Sequence, residues 1–514
     1  MENSKDWFRL KKYPHIGLPL KLKHKAWVEN YVTNPDLVKK HSFYPFIHRK
    51  LSVRKFRQKK LEDGTKTKER FESYKEREVF YANHLDSNIY SYYSSLLGEL
   101  YEKKLDYFGI ADCVTAYRSI RLNEKSESRN KCNIDFANDV FSYIKSNKRR
   151  NLVAITFDIT SFFDNLNHLK LKKAWCSILQ TQKLPDDHYA VFKNLTKFSY
   201  VEIDDLYNEF KDEIIVNTKT GISKIKVSQL GLLKEKNAVA FCELKDFNSR
   251  IRKKKLVKNN KFSDKENFRK GTQRTKGIPQ GSPISATLAN IYLLQFDAKI
   301  NSKIIDLGGI YRRYSDDMIV IIDENHKDEI YQYFLDEILK ENLLIQPSKT
   351  QIFYFKEFNG VYGCKELNQI TDVLTSNTKF EYLGFSFNGS DVYLKSSGLS
   401  KFYRKMKRSI RRGGFYAKYG SNNVPHLFKN RLYKKFTHLG SQRKKIFKPD
   451  PHNPNKFLKT GEYDWGNFLS YANLAERIFK SKKIKNQVKG HWKKFDMLLK
   501  SKEKEITKFH HNSK

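Results

Sequence analysis

Two adjacent carboxylates, Asp316 and Asp317, stand in the run Tyr314-Ser315-Asp316-Asp317, directly ahead of the apolar β-formers Met318, Ile319, Val320, Ile321 and Ile322. This pattern predicts a hairpin over 309–322 whose tight turn projects the acids into a cleft. Upstream, Val153, Ile155 and Phe157 alternate along one face of a strand predicted over 152–158, so Asp158 points the other way, with the Ile159 carbonyl beside it. Three carboxylates gathered in a low-dielectric cleft repel one another unless a cation neutralises them or their pKa values rise. Oxygen-only donors indicate Mg²⁺. Two such ions, roughly 3.5–4 Å apart, would stabilise an attacking 3′-oxygen and a leaving pyrophosphate. An Asp-Asp dipeptide on its own is usually only a polar turn, so its neighbours must decide.

The elements that would position these acids follow from periodicity. Leu96, Leu97, Leu100, Tyr101 and Leu105 recur at helical spacing and predict a helix through 71–107. Further helices are predicted over 135–144, 285–300 and 327–339. Residues 200–275 read as an irregular insertion, first acidic (Glu202, Asp204, Asp205, Glu209, Asp212) and then basic (Arg250, Arg252, Lys253, Lys254, Lys255, Lys258, Lys261). Met1 to about Arg70 reads as a basic extension, richest in Lys and Arg over 49–68. In 401–412, Tyr403, Met406 and Ile410 share one helical face, and Lys401, Arg404, Lys405, Lys407, Arg408, Arg411 and Arg412 mostly occupy the rest.

The 514 residues exceed one ordinary core. Lys and Arg outnumber Asp and Glu by 99 to 57, a net charge of +42, and this excess favours a polyanion, by default nucleic acid. No apolar run of about 18 residues could span a bilayer, and the first 20 residues lack a signal-peptide core, so a cytoplasmic location without membrane contact is expected. Cys113, Cys132, Cys176, Cys242 and Cys364 form no C-x-x-C pair and are expected to be reduced and structural.

Several motifs carry a resemblance. Phe157-Asp158-Ile159-Thr160-Ser161-Phe162-Phe163-Asp164-Asn165 and Tyr314-Ser315-Asp316-Asp317 resemble motifs A and C of reverse transcriptases. Gly277-Ile278-Pro279-Gln280-Gly281-Ser282-Pro283-Ile284-Ser285 resembles motif B, Pro347-Ser348-Lys349-Thr350 motif D, and Glu381-Tyr382-Leu383-Gly384-Phe385 the primer grip. Ala116-Tyr117-Arg118-Ser119-Ile120-Arg121 resembles the fingers motif of bacterial members. The resemblance covers roughly 95–395 and implies a right-hand polymerase of α+β class. Fingers and a palm of antiparallel sheet flanked by helices would lead into a basic helical thumb.

The resemblance implies catalysis by Asp158, Asp316 and Asp317, with Ile159 completing the ligands of two Mg²⁺ ions, for which Mn²⁺ can substitute. Arg118 and Arg121 would meet the triphosphate, as Arg does bidentately, or be solvated surface residues. Phe163 would exclude a ribose 2′-hydroxyl, or be a core Phe. Gln280 and Gly281 would approach nucleotide and template, or form a plain turn. Lys349 would protonate pyrophosphate, or sit in a polar loop. Tyr382, Leu383 and Gly384 would form the primer grip. Lys401, Arg404, Lys405, Arg408, Arg411 and Arg412 would grip a duplex backbone without reading sequence, or form a solvated charged face. Ser315 replaces a more common Ala or Met, and Asp158 and Asp316 are further apart than in compact members, the excess falling in 200–275.

These readings divide the chain into an N-terminal extension and start of the fingers (1–94), fingers and palm (95–395) and a thumb and C-terminal region (396–514). The stretches Arg431-Leu432-Tyr433 to His438-Leu439-Gly440 and Trp465 to Ala472 look like those of stand-alone bacterial enzymes, many of them antiphage. That likeness implies RNA-directed DNA synthesis from dNTPs with a cognate noncoding RNA as template or scaffold, with assembly into a homo-oligomer left open. Template-independent nucleotidyl transfer and a maturase-like RNA scaffold are the alternatives.

Overall fold

The computed structural model describes residues 7–63, 66–123, 129–260, 274–376, 378–420, 424, 426–441, 445–449, 456–463 and 466–512. Lys261 and Trp465, named above, lie outside them. The chain is mixed α and β and divides into two discontinuous compact units, 1–117 with 155–350 and 118–154 with 351–514. None of the described helices is long and apolar enough to cross a membrane.

In the first unit residues 155–158, the end of the strand Leu152–Asp158, lie beside the hairpin Ile310–Tyr314/Asp317–Asp323. Phe157 turns into the core, where its ring stacks at 3.9 Å on Phe334 of the helix Lys327–Lys340. Thr156 and Asp158 share the opposite, partly exposed face. The predicted helix 285–300 is instead two helices, Ser285–Tyr292 and Leu294–Asp306, hinged at Leu293.

Two stretches depart from the sequence reading. Residues 71–81 are not helical, because they complete the strand Lys66–Tyr81, which pairs with Phe46–Lys60 in a long antiparallel hairpin. The following helix, His84–Tyr107, starts where the Asn83 side chain caps the Leu85 amide at 3.1 Å. Nor is 200–260 irregular. Ser199–Glu202 and Lys258–Asn259 extend the hairpin's sheet, and Ile214–Thr218, Gly221–Ile225 and Ala238–Cys242 form a second sheet with His15–Ile16. Ile203, Leu206, Tyr207 and Phe210 follow helical spacing and are buried. The acid-to-base shift is internal pairing: Arg250 and Lys254 bind Glu209 at 2.8 and 2.7 Å, and Lys258 approaches both Glu202 and Asp205 at 3.4 Å.

The second unit holds the helix Asn133–Ser146, the antiparallel strands Gln351–Phe358, Val361–Asn368 and Val373–Thr375, and a small sheet of Phe380–Tyr382, Phe385–Phe387 and Val392–Leu394. Phe141 stacks on Phe387 at 4.8 Å. The long helix Ser396–Tyr419 buries Phe402, Met406, Ile410 and Ala417 in one cluster with Phe495, Leu499 and Ile506 of the helix His491–Asn512. All five cysteines are free, and burial pushes the Cys242 and Cys364 thiols up to about 12.

The N-terminal segment is locked by buried histidines. Asn83 donates to the Ile16 carbonyl at 2.8 Å, and Tyr13 stacks on His84 at 5.4 Å. Burial, then the neighbouring His84, lowers His15 to about 3, and burial, then Lys11, lowers His84 to about 4. Unfolded histidines titrate near 6.5, so below that pH the unfolded chain takes up protons that the folded chain refuses. This contribution to stability is complete above about pH 6.5 and is lost as pH falls towards 4 and then 3. Urea unfolding is expected to weaken from pH 7 to pH 5 by up to about 1.4 kcal/mol per pH unit for each histidine. His84→Phe, at a ring whose nitrogens have no hydrogen-bond partner among the described residues, should flatten that slope.

Candidate active site

Tyr314 and Asp317 pair directly across the hairpin, leaving Ser315 and Asp316 as its two-residue turn. Ser315 takes a φ of +63°, in the left-handed region that a non-glycine residue adopts only when its surroundings compel it. Its hydroxyl meets the Tyr117 hydroxyl at 3.2 Å, and its carbonyl accepts from Arg313 Nη1 at 3.3 Å. Tyr117 is itself at φ +62°. Two residues in strained conformations therefore brace the turn that carries Asp316.

Beneath the turn lies a polar network that the sequence reading did not single out. Arg313 and Asp297 are both fully buried, and Arg313 Nε and Nη2 reach the carboxylate at 2.8 and 2.6 Å. Burial alone would lower the Arg313 guanidinium, but Asp297 beside it holds it well above its ordinary value. Arg313 Nη1 also donates to Asn290 Oδ1 at 3.0 Å, and Asn290 Nδ2 donates to the Ala116 carbonyl at 3.0 Å. The signal was available. Asn290 and Asp297 are seven residues apart among apolar neighbours, and Arg313 interrupts a strand that is otherwise apolar on its inner face.

Asp158 and Asp316 come together at neighbouring strand ends, where the Ile159 amide donates to the Asp316 carbonyl at 3.4 Å. The motif D loop closes on the same strand end. The Gln346 amide donates to the Asp158 carbonyl at 2.8 Å, Ile159 bridges Ile345, and Lys349 Nζ hydrogen-bonds Asp158 Oδ1. Asp317 is exposed at the start of its strand, and Phe163 is half-buried against Phe162. Among the described residues, no three His, Cys, Asp or Glu side chains form a ready metal-binding group. The donor set is nonetheless all oxygen, as Mg²⁺ requires, and Asp158 already holds a cation, the Lys349 ammonium. The residues fit a divalent ion in kind.

The motif B turn is fixed from two sides. The Gly277 amide donates to the Leu166 carbonyl, and the Ile278 amide to the Phe163 carbonyl. At Gly281, φ is +114°, and a Cβ would stand 2.7 Å from the Phe80 carbonyl oxygen, while the Phe80 amide donates to the Gln280 carbonyl at 2.8 Å. The room left by the missing side chain is thus filled by the base of the long hairpin.

That hairpin presents two unlike faces. The even-numbered face is paired, Lys50 with Glu76 at 2.7 Å and Arg54 with Glu72 at 2.5 Å. The odd-numbered face carries Lys55, Arg57, Lys75 and Arg77 without an interleaved acid. Partial burial, then the charges of Lys75, Arg57, Arg77 and Lys349, hold Lys55 below its ordinary value. Lys349 is therefore within electrostatic range of this face. Composition showed the charge, but only strand pairing separates the two faces.

The remaining candidates lie in the second unit. Arg118 is half-buried, and Arg121 is exposed in a short pairing of 120–122 with 129–131. Leu383 and Gly384, at φ +42° and +93°, form the turn between paired Tyr382 and Phe385, with Tyr382 buried. Lys401, Arg404, Lys405, Arg408, Arg411 and Arg412 are all exposed on one helix.

Residues 217–387 match the family described as reverse transcriptase (RNA-dependent DNA polymerase). That match spans a third of the chain. Within the match fall Gln280, Gly281, Asp316, Asp317, Lys349 and Tyr382–Gly384, whereas Arg118, Arg121, Asp158, Ile159, Phe163 and 401–412 lie outside it. No curated protein matches the chain. Among solved structures, similar ones include apo telomerase from Candida tropicalis truncated from its C-terminal domain, at 12% identity and a TM-score of 0.37 over 72% of this chain and 60% of that one. Telomerase from Candida albicans, in complex with a fragment of telomeric RNA, is 13% identical with a TM-score of 0.34, over 94% of this chain and 63% of that one. The chain thus spans about 60% of the length of the telomerases it matches.

Two outcomes test this geometry. Arg313→Ala leaves Asp297 buried without its cation and should cost about 3–5 kcal/mol in urea unfolding. Gly281→Ala should cost about 1–3 kcal/mol through its φ and the Phe80 carbonyl, and limited proteolysis should show faster cleavage within the hairpin 46–81.

Proposed function

We propose that the chain is an RNA-directed DNA polymerase that uses dNTPs. The observation that carries this reading is the convergence of Asp158, Asp316 and Lys349 at one strand end, beside a turn held in a strained conformation. Asp158, Asp316, Asp317 and the Ile159 carbonyl would hold divalent ions, which when bound stabilise the attacking 3′-oxygen and the leaving pyrophosphate.

The chain's own groups supply the rest. Lys349, which hydrogen-bonds Asp158, would give a proton to pyrophosphate. The odd face of the long hairpin offers Lys55, Arg57, Lys75 and Arg77 to phosphates of template or nucleotide. Phe163 favours dNTPs over ribonucleotides by its bulk. In the second unit, Arg118 and Arg121 would neutralise triphosphate charge, Tyr382, Leu383 and Gly384 would hold the primer end, and the basic helix would grip a backbone. We place the enzyme in bacterial antiphage defence with a bound structured RNA, a reading supported by the likeness of its C-terminal stretches to stand-alone bacterial enzymes.

The test is to purify the protein with its bound RNA, add Mg²⁺ and labelled dNTPs, and sequence the product. DNA complementary to that RNA is expected, and Asp316→Ala should reduce incorporation by at least about a thousandfold, as should chelation by EDTA. Lys349→Ala should reduce it by about 10²–10⁴-fold. A homopolymer unrelated to the RNA would establish untemplated transfer instead. No incorporation by an intact complex, with phage resistance indifferent to Asp316→Ala, would leave an RNA scaffold.

A further inference from the structure

The second unit contains a hollow of about 760 Å³ between the helices Ser396–Tyr419 and His491–Asn512, within the range of about 300–1,000 Å³ that holds small molecules. The helices approach closely here, since a Cβ on Gly414 would stand 2.6 Å from Lys502 Cδ. Arg404, Lys407, Arg408 and Arg411 line one wall. Glu505, the acid lining the hollow, is taken by Lys418 at 2.7 Å and by Lys502, which together hold it down at about 2. The four wall cations have no carboxylate partner among the described residues.

Aromatic rings continue from this cationic wall. Phe415 and Tyr419 are 58% and 61% exposed, an expensive display for rings of this size, and their centroids lie 5.2 Å apart. Tyr416 is oriented by Arg412, whose Nη2 donates to its hydroxyl at 3.0 Å. Packing accounts for them only in part: Tyr419 meets the edge of Phe509 at 5.1 Å, but both rings stay mostly exposed, and the buried stripe of the same helix runs through Met406, Ile410 and Ala417.

We propose that this hollow binds unpaired nucleotides of a single strand, with phosphates along Arg404, Arg408 and Arg411 and bases on Phe415 and Tyr419. On a helix these cations are about 6 and 4.5 Å apart along the axis, a ladder suited to a phosphodiester chain. Stacking on aromatics beside a basic track is how single strands are held without regard to sequence. A duplex keeps its bases stacked inside and cannot use the rings. An acidic peptide supplies charge for the cations but meets the rings only where it happens to carry aromatic side chains, and lipid headgroups supply charge without planar rings.

The choice of nucleic acid rests on the polymerase reading, so binding and synthesis are measured separately. Full-length protein in EDTA without dNTPs is titrated into a fluorescent 12-nucleotide oligo-U and into a 12-base-pair duplex. Phe415→Ala combined with Tyr419→Ala should weaken oligo-U binding roughly tenfold or more and leave duplex binding within about twofold. Tyr419→Phe should bind as wild type. Arg408→Ala with Arg411→Ala should lower the salt slope of oligo-U binding by about 1.4.

Equal losses on single strand and duplex, or no loss on either, would overturn the proposal. So would unchanged oligo-U binding together with lost capture by phosphatidylserine vesicles, which would assign the hollow to a lipid surface. Incorporation on an annealed primer by the same aromatic variant shows whether the protein is folded and whether the polymerase reading stands on its own.

Discussion

Arg313 and Asp297 are fully buried in contact with each other, and much of the candidate site hangs on that contact. A guanidinium cannot shed its proton, so its burial is tolerable only where its charge is paired and most of its donors find acceptors. These hydrogen bonds tie the strand before the Ser315-Asp316 turn to the helices Ser285–Tyr292 and Leu294–Asp306, and through Asn290 to the Ala116 carbonyl. Arg313 Nη1 also reaches the Ser315 carbonyl, so the same residue that satisfies the core constrains the turn. The strain at Ser315 is stored by a network that cannot relax without exposing a buried charge.

Asp158 shows how local geometry brings a cation to an acid. Its strand end is fastened by backbone hydrogen bonds to the 344–346 segment, which delivers Lys349 to the carboxylate. The lysine answers the electrostatic demand of the acid. Gly281 is constrained in a complementary way. Contact with Phe80 fastens the base of the hairpin to the Gln280-Gly281 turn.

The segment 200–260 shows why composition can mislead. Acidic and basic runs resemble an insertion when read along the chain, because neither is apolar enough to announce a core. Folded, they neutralise each other across Glu209–Arg250 and Glu209–Lys254, and the apolar residues between them join Ile16 and Ile47 in one cluster. Likewise 71–81 carries a mixed pattern whose period of two becomes meaningful only once its partner strand is known.

The sequence by itself determined the candidate residues: the acids and the motifs around them are local runs, the hairpin 309–322 and the strand 152–158 follow from alternation, and the basic helix follows from one amphipathic period. Tertiary structure decided which residues support that chemistry. Asp297 and Arg313 meet across sixteen positions, Gly281 meets Phe80 across two hundred, and the two faces of the 46–81 hairpin differ only through register. Such contacts are set by the packing of distant elements, and a linear pattern carries no term for the partner that a buried charge or a missing side chain will meet.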